Sequence, residues 1–239
     1  MNRIVLPLAA VAALGLGLAM PQARAADMDD MVVSYFEVEK LEHRARKGAD
    51  ARVWDAQGWI GTDTDKLWFK TEGEAPVRGK AEKIETQALY SRMISDFFDL
   101  QAGLRHDFRP EPERTYGVIG LKGMAKYFIE TDLALFVSEK GDVSARLKAE
   151  TDFLLTQRLV LEPSAEMNLH ARDVPEYDQG KGLGDIELGL RLRYEIRREF
   201  APYVGINWHR KLGESAVRAR ADGETDSEFA IVAGLRFWF

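Results

Sequence analysis

Between Asp185 and Arg197 the chain alternates with a period of two. Ile186, Leu188, Leu190, Leu192, Tyr194 and Ile196 fall on one face, and Glu187, Gly189, Arg191, Arg193 and Glu195 on the other. Only an extended backbone keeps the two sets apart; a helix would mix them around its circumference. Leu159, Leu161, Ala165, Met167 and Leu169 hold the same register against Glu162, Glu166, Asn168 and His170, as do Val143, Ala145, Leu147, Ala149, Phe153 and Leu155 against Arg146, Lys148, Glu150 and Asp152. Further segments follow at residues 32–43, 51–60, 65–74, 83–93, 98–108, 115–125, 127–138, 201–212 and 228–239. They bring the expected total to about twelve strands, each near the 9–11 residues that a tilted strand needs to cross hydrocarbon.

Two all-β architectures can use such strands. In a soluble sandwich the apolar face turns inward and the charges meet water. In a transmembrane antiparallel up-and-down β-barrel the apolar face meets lipid and the charges line a lumen. Three features favour the barrel. Aromatic residues recur near segment ends (Trp54, Trp59, Trp68, Phe69, Tyr127, Trp208, Trp238 and Phe239), where interfacial girdles are expected. The last segment carries Phe229, Ile231, Leu235, Phe237 and Phe239 in one register and stops on a bare phenylalanine, the kind of terminus read by the outer-membrane insertion machinery. Finally, residues 1–25 read as a cleaved secretory signal: Arg3 leads, residues 4–20 are almost wholly apolar, and Ala23-Arg24-Ala25 fits a small-x-small cleavage site. The alternative for that segment is a retained N-terminal anchor helix. Past the signal, residues 26–31 form a short N-terminal segment and residues 32–239 one barrel domain.

The links sort by length. Lys140-Gly141-Asp142 and Arg198-Glu199 read as tight periplasmic turns, and residues 109–114, 173–184 and 213–226 as longer external loops. Composition excludes other classes. A mean hydropathy of −0.29 rules out a polytopic helical membrane protein. Cysteine is absent, so neither disulfides nor thiolate metal sites are available. Removing Arg3 and Arg24 moves the formal charge from −6 to −8, which disfavours nucleic acid and favours cations.

Six stretches carry a resemblance: residues 56–61 (AQGWIG), 66–73 (KLWFKTEG), 88–92 (ALYSR), 155–158 (LTQR preceded by Leu154), 185–203 (DIELGLRLRYEIRREFAPY) and 236–239 (RFWF). In this order they resemble the copper resistance protein B family, CopB/PcoB, from about Val32 to the end. The resemblance implies a barrel in the outer membrane of a Gram-negative bacterium. It also implies copper ions as the species bound or carried, and a periplasmic copper oxidase or copper chaperone as partner. Members often carry a Met- and His-rich arm ahead of the barrel. Here only Met28 and Met31 stand in residues 26–31, and the chain has 4 His, so function must rest on the barrel itself or on a partner.

With the polar face inward, the lumen is expected to display Asp55, Glu72, Glu85, Glu130, Asp132, Glu150, Asp152, Glu187 and Glu195, balanced by Lys70, Arg105, Arg146, Lys148, Arg191 and Arg193. Such charges either attract cations or plug the bore by pairing with one another. Cu(II) favours imidazole with carboxylate, and Cu(I) favours thioether. The ligand candidates are therefore Glu166, His170, His209, Asp107 and Glu162, with Met28 and Met31 as weak candidates at the periplasmic mouth. The plain alternative for each histidine is a hydrogen-bonding lumen residue. A catalytic reading lacks support, because Ser164 and Ser215 have no adjacent base, and neither Gly-x-Ser-x-Gly nor His-Glu-x-x-His occurs. Two functions remain: an acidic copper conduit, or a closed barrel that docks a periplasmic copper oxidase.

Overall fold

A computed structural model describes residues 31–239; the expected signal at 1–25 and Met28 lie outside them. The alternating segments become β1 (Val33–Arg46), β2 (Ala51–Gly61), β3 (Asp65–Pro76), β4 (Lys83–Ser95), β5 (Phe98–Arg109), β6 (Arg114–Ala125), β7 (Ile129–Ser138), β8 (Val143–Glu150), β9 (Phe153–Leu154), β10 (Leu159–His170), β11 (Gly182–Tyr194), β12 (Phe200–Lys211) and β13 (Ser227–Trp238). Each pairs antiparallel with its sequence neighbour, and β1 pairs with both β2 and β13, which closes the sheet. The two-residue β9 continues β8 along β10 beyond Thr151 and Asp152, so the thirteen segments make twelve staves. That is the expected barrel.

Burial separates the two candidate architectures. On the outer surface Leu104 is 60% exposed, Ile119 61% and Ile231 63%, whereas Glu85 is 1% exposed and Arg191 2%. A sandwich would bury the aliphatics and expose the charges. The observed inversion is stable only where hydrocarbon solvates the outside. The interior is not uniformly charged, since Trp68, Leu89, Tyr116, Val118, Ala134 and Phe136 form an apolar patch on the β3–β7 wall.

Antiparallel connectivity alternates the ends. The start of β1 and the end of β13 share one end, called the terminal end, with the turns after β2, β4, β6, β9 and β11; the links after β1, β3, β5, β7, β10 and β12 share the other. Arg198-Glu199 thus lies at the terminal end, as expected, but Lys140-Gly141-Asp142 follows β7 and belongs with the long loops. The expectation of a periplasmic turn there judged length alone, whereas the number of preceding strands decides the end. The long link after β12 contains helix α1 (Gly213–Ala221), which buries Ser215, Ala216 and Ala219 and accepts the Gly180 N–H on Ser215 Oγ at 2.8 Å.

The aromatic expectation also needs correction. Trp59, Trp68 and Trp238 do not form a lipid girdle. They share the inward phase of Gln57, Lys70 and Arg236, and a stack runs from Trp238 through Tyr35 and Trp59 to Trp68, with centroids 6.0–6.2 Å apart, inside the terminal end of the bore. The outward aromatics at that end are phenylalanine and tyrosine: Phe69, Phe97, Tyr127 and Phe239 are all exposed. Trp208 does sit on the outer face near the loop end, with Nε1 donating to Ser227 Oγ at 3.0 Å.

Candidate functional site

The bore divides into storeys. At the loop end a vestibule of about 760 Å³ opens between the walls. Four of the five ligand candidates line it, namely Asp107, Glu166, His170 and His209. His209 Nε2 stands 3.7 Å from Asp185 Oδ1, and His209 lies directly across from Glu187 in the β11–β12 ladder. The β10–β11 register shifts between Asn168 and Leu169, and the His170 ring lies over Gly184, where a Cβ would come within 2.7 Å of it. Glycine at 184 therefore makes room for the imidazole. The wall made by β10, β11 and β12 presents two imidazoles among the carboxylates of Glu166, Asp185 and Glu187.

Two of the five ligand candidates are already held by arginines. Arg105 grips Asp107 through two bonds of 2.7 Å. Glu162 lies deeper, clamped by Arg193 and by Arg236 Nη1 at 3.0 Å. Met31 is exposed ahead of β1. Among the described residues, no three His, Asp or Glu side chains converge in a geometry that could hold a metal ion. The five candidates are thus not gathered into one site.

At the floor of the vestibule several lumen charges meet across the bore, beside others that pair along the sheet. Arg146 on β8 donates to Glu72 on β3 at 2.8 Å and to both oxygens of Glu85 on β4 at 3.0 and 2.9 Å. Lys148, two residues on, bonds Glu72 at 2.6 Å and Asp55 on β2 at 3.3 Å. In a ring of twelve staves β8 and β2 face each other, so Lys148 and Asp55 join opposite walls. Lys70 bonds Asp132 at 2.6 Å between β3 and β7, and Arg44 bonds Glu187 at 2.8 Å between β1 and β11. Arg191 bonds Glu42 at 3.2 Å, and Arg193 reaches Asp152 at 2.6 Å and Glu195 at 3.7 Å. Glu130 and Glu150 sit opposite one another on β7 and β8 and line a smaller cavity of about 60 Å³ beneath this layer.

Several lining residues escaped sequence reasoning. Asp185 is in phase with Glu187 and is the carboxylate nearest His209. The β1 residues were missed because a bulge between Val38 and Leu41 shifts the register, so that Glu37 and Glu39 below it and Lys40, Glu42 and Arg44 above it all face the bore. Lys40 Nζ pairs with Glu39 at 3.2 Å. Ser164 Oγ accepts from Arg191 at 3.0 Å, which accounts for one of the two candidate nucleophiles.

At the loop end residues 171–181 fold back over the rim. Arg114 pairs with Asp142 at 2.6 Å and Glu176 at 2.9 Å, Lys140 pairs with Glu176 at 2.8 Å, and Arg172 joins Asp142. The Tyr177 ring lies 4.3 Å under the Arg114 guanidinium. Burial acts to raise the Asp142 pKa, but hydrogen bonds from Arg172 and Ser138 and the positive charge of both arginines outweigh it and hold the carboxyl below the usual aspartate range.

Residues 32–239 match the family described as copper resistance protein B precursor (CopB). The copper resistance protein B of Escherichia coli is 42% identical over 211 residues, which cover 88% of this chain and 71% of that protein. The copper resistance protein B homolog of Pseudomonas syringae pv. tomato shows the same identity and coverage. Among solved structures the barrel superposes on the NanC porin with a TM-score of 0.57 at 14% identity, covering 84% of this chain and 98% of the porin. For the KdgM porin the TM-score is 0.51 at 11% identity, covering 87% and 99%. At these identities the porins are similar in fold alone.

Proposed function

The chain belongs to the copper resistance protein B family, and from that premise we propose that it handles copper ions in the outer membrane of a Gram-negative cell, exported there by the signal at residues 1–25. The vestibule takes in the ion and the charged bore passes it between storeys. One observation carries this reading: the β10–β12 wall sets imidazole beside carboxylate, with His209 Nε2 3.7 Å from Asp185 Oδ1 and Glu187 across from His209. That donor set suits Cu(II). Two-donor contacts hold an ion weakly, and conduction needs sites weak enough to release it. The negative charge of the mature chain raises the local cation concentration.

The test is copper entry into liposomes that enclose a copper-quenched dye. Wild-type protein is expected to speed quenching over empty vesicles, and His209→Ala with Asp185→Asn to slow it. Equal entry with and without protein ends the conduit reading.

A second reading draws on the layer that joins opposite walls. With Lys148 held by Asp55 and Glu72, the barrel serves as a closed dock for a periplasmic copper oxidase or chaperone. A dock keeps copper tolerance in cells carrying the His209 and Asp185 variants, and a conduit loses it.

A further inference from the structure

From the geometry we infer that Lys148 is the gate of the bore: its ammonium is a tethered cation bridging opposite walls between two storeys, and ions pass only when it swings aside. The inference deepens the conduit reading and rests on it for the identity of the cargo, though not for the gate itself.

Four observations support the assignment. First, the pairing is transverse. Lys148 Nζ is 2.6 Å from Glu72, 3.3 Å from Asp55 and 3.8 Å from Glu166, groups on three separate staves, one of which faces β8 across the barrel. One lysine and one aspartate thus bridge opposite walls of the bore at that level. Second, the same side chain borders the vestibule of about 760 Å³ and the lower cavity of about 60 Å³. Lys40, Asp55, Glu166 and Glu187 border both as well, and Lys148 bonds or pairs with two of these, so it is tied into the layer between the two storeys.

Third, the neighbouring cation is fixed. Arg146 is 8% exposed, bonds Glu72, Glu85 and Asn168, and stacks at 5.4 Å on Phe136. The Lys148 side chain is 27% exposed, and its ammonium pairs with the carboxylates of Asp55, Glu72 and Glu166. Of the two, the lysine has the freer stem and the smaller loss on moving, because its four-carbon chain carries a point charge where the arginine makes a planar fork. Fourth, its carboxylates keep partial partners when it leaves. Glu72 retains Arg146 and Lys83, Glu166 retains Arg146, and Asp55 retains Lys40 at 3.9 Å. The departing ammonium exposes three acidic groups to whatever cation arrives, so the swing exchanges one positive charge for another and draws cations rather than anions.

The experiment measures conductance of purified protein in planar bilayers bathed in potassium chloride without copper. Wild type is expected to conduct poorly. Lys148→Met, which removes the charge and keeps the bulk, is expected to raise conductance about tenfold, equivalent to lowering the barrier by about 1.4 kcal/mol, with a reversal potential that favours potassium over chloride. Lys148→Gln is the second variant, and Lys148→Arg is expected to stay closed. Insertion of each variant is checked by heat-modifiable migration in detergent gels. Folded Met and Gln variants that conduct like wild type overturn the gate, as does a wild type already open at their level. Because no copper is present, loss of copper entry in the liposome assay leaves the gate standing, and a failed gate leaves copper entry to be judged on its own.

Discussion

Replacing Glu85 by alanine tests whether the storey above the apolar patch is dry enough for its charges to matter. The Glu85 side chain is 1% exposed and receives Arg105 Nη2 at 2.9 Å, Arg146 at 3.0 and 2.9 Å, and Gln87 Nε2 at 2.7 Å. Removing one partner of a buried pair costs about 3–5 kcal/mol, because the other charge is left without compensation. Here each guanidinium keeps a second carboxylate: Arg105 keeps Asp107 at 2.7 Å and Arg146 keeps Glu72 at 2.8 Å. The expected loss is therefore at the lower end, about 3 kcal/mol. With a urea slope of about 2 kcal/mol/M the midpoint falls by about 1.5 M. The assay is reversible urea unfolding in phospholipid vesicles, followed by the fluorescence of the bore tryptophans. Arg92→Ala serves as the control: its side chain is 68% exposed and 3.9 Å from Asp65, and losing such a surface pair costs about 0.5 kcal/mol or less. A Glu85→Ala shift no larger than that of Arg92→Ala refutes the reasoning, since the bore charges would then behave like surface pairs in bulk water.

Three further outcomes follow from the rim, the ladder and the closure. Arg114→Ala frees residues 171–181, and protease cleavage within them is expected to run about tenfold faster at neutral pH; in wild type the Asp142 carboxyl, held below the usual aspartate range, keeps the clasp while ionised and releases it only as acid titrates through that lowered value. Gly103→Val drives a Cβ into the Ala88 carbonyl oxygen and to 2.8 Å from Leu89 Cα, so the folded, heat-modifiable band is expected to disappear. Phe239→Ala removes a ring 5.7 Å from Phe36 while leaving the two 2.9 Å backbone bonds between these residues, and is expected to lower stability by about 1 kcal/mol in the urea assay.

The strands were legible because alternation with a period of two survives any tertiary context that puts lipid on one side of a sheet and charge on the other. Ile186 to Ile196 needed nothing more. The inward tryptophans were legible too, had phase been weighed above residue type: Trp59 follows Asp55 and Gln57 by even steps, and Trp68 precedes Lys70 and Glu72. What alternation does not carry is the partner across the bore. It places Lys148 and Asp55 inside, but their meeting depends on ring closure, which sets β8 opposite β2. The same limit applies to the ligand candidates: alternation puts Asp107, Glu166, His170 and His209 on the inward face, but it does not reveal the arginines that hold Asp107 and Glu162. The bulge in β1 was hidden because its flanking residues, Val38, Glu39, Lys40 and Leu41, fit either phase.

That bulge has an evolutionary and engineering consequence. A stave confined to one phase can offer the interior only every second residue, so altering the charge at one level means substituting in place. By slipping half a repeat between Val38 and Leu41, β1 uncouples its lower half from its upper half. Excising Glu39 would restore an uninterrupted pleat with Glu37, Lys40, Glu42 and Arg44 still on the lumen side, so a single-codon deletion there is expected to keep the stave's pairing on both flanks and to remove one carboxylate from the bore.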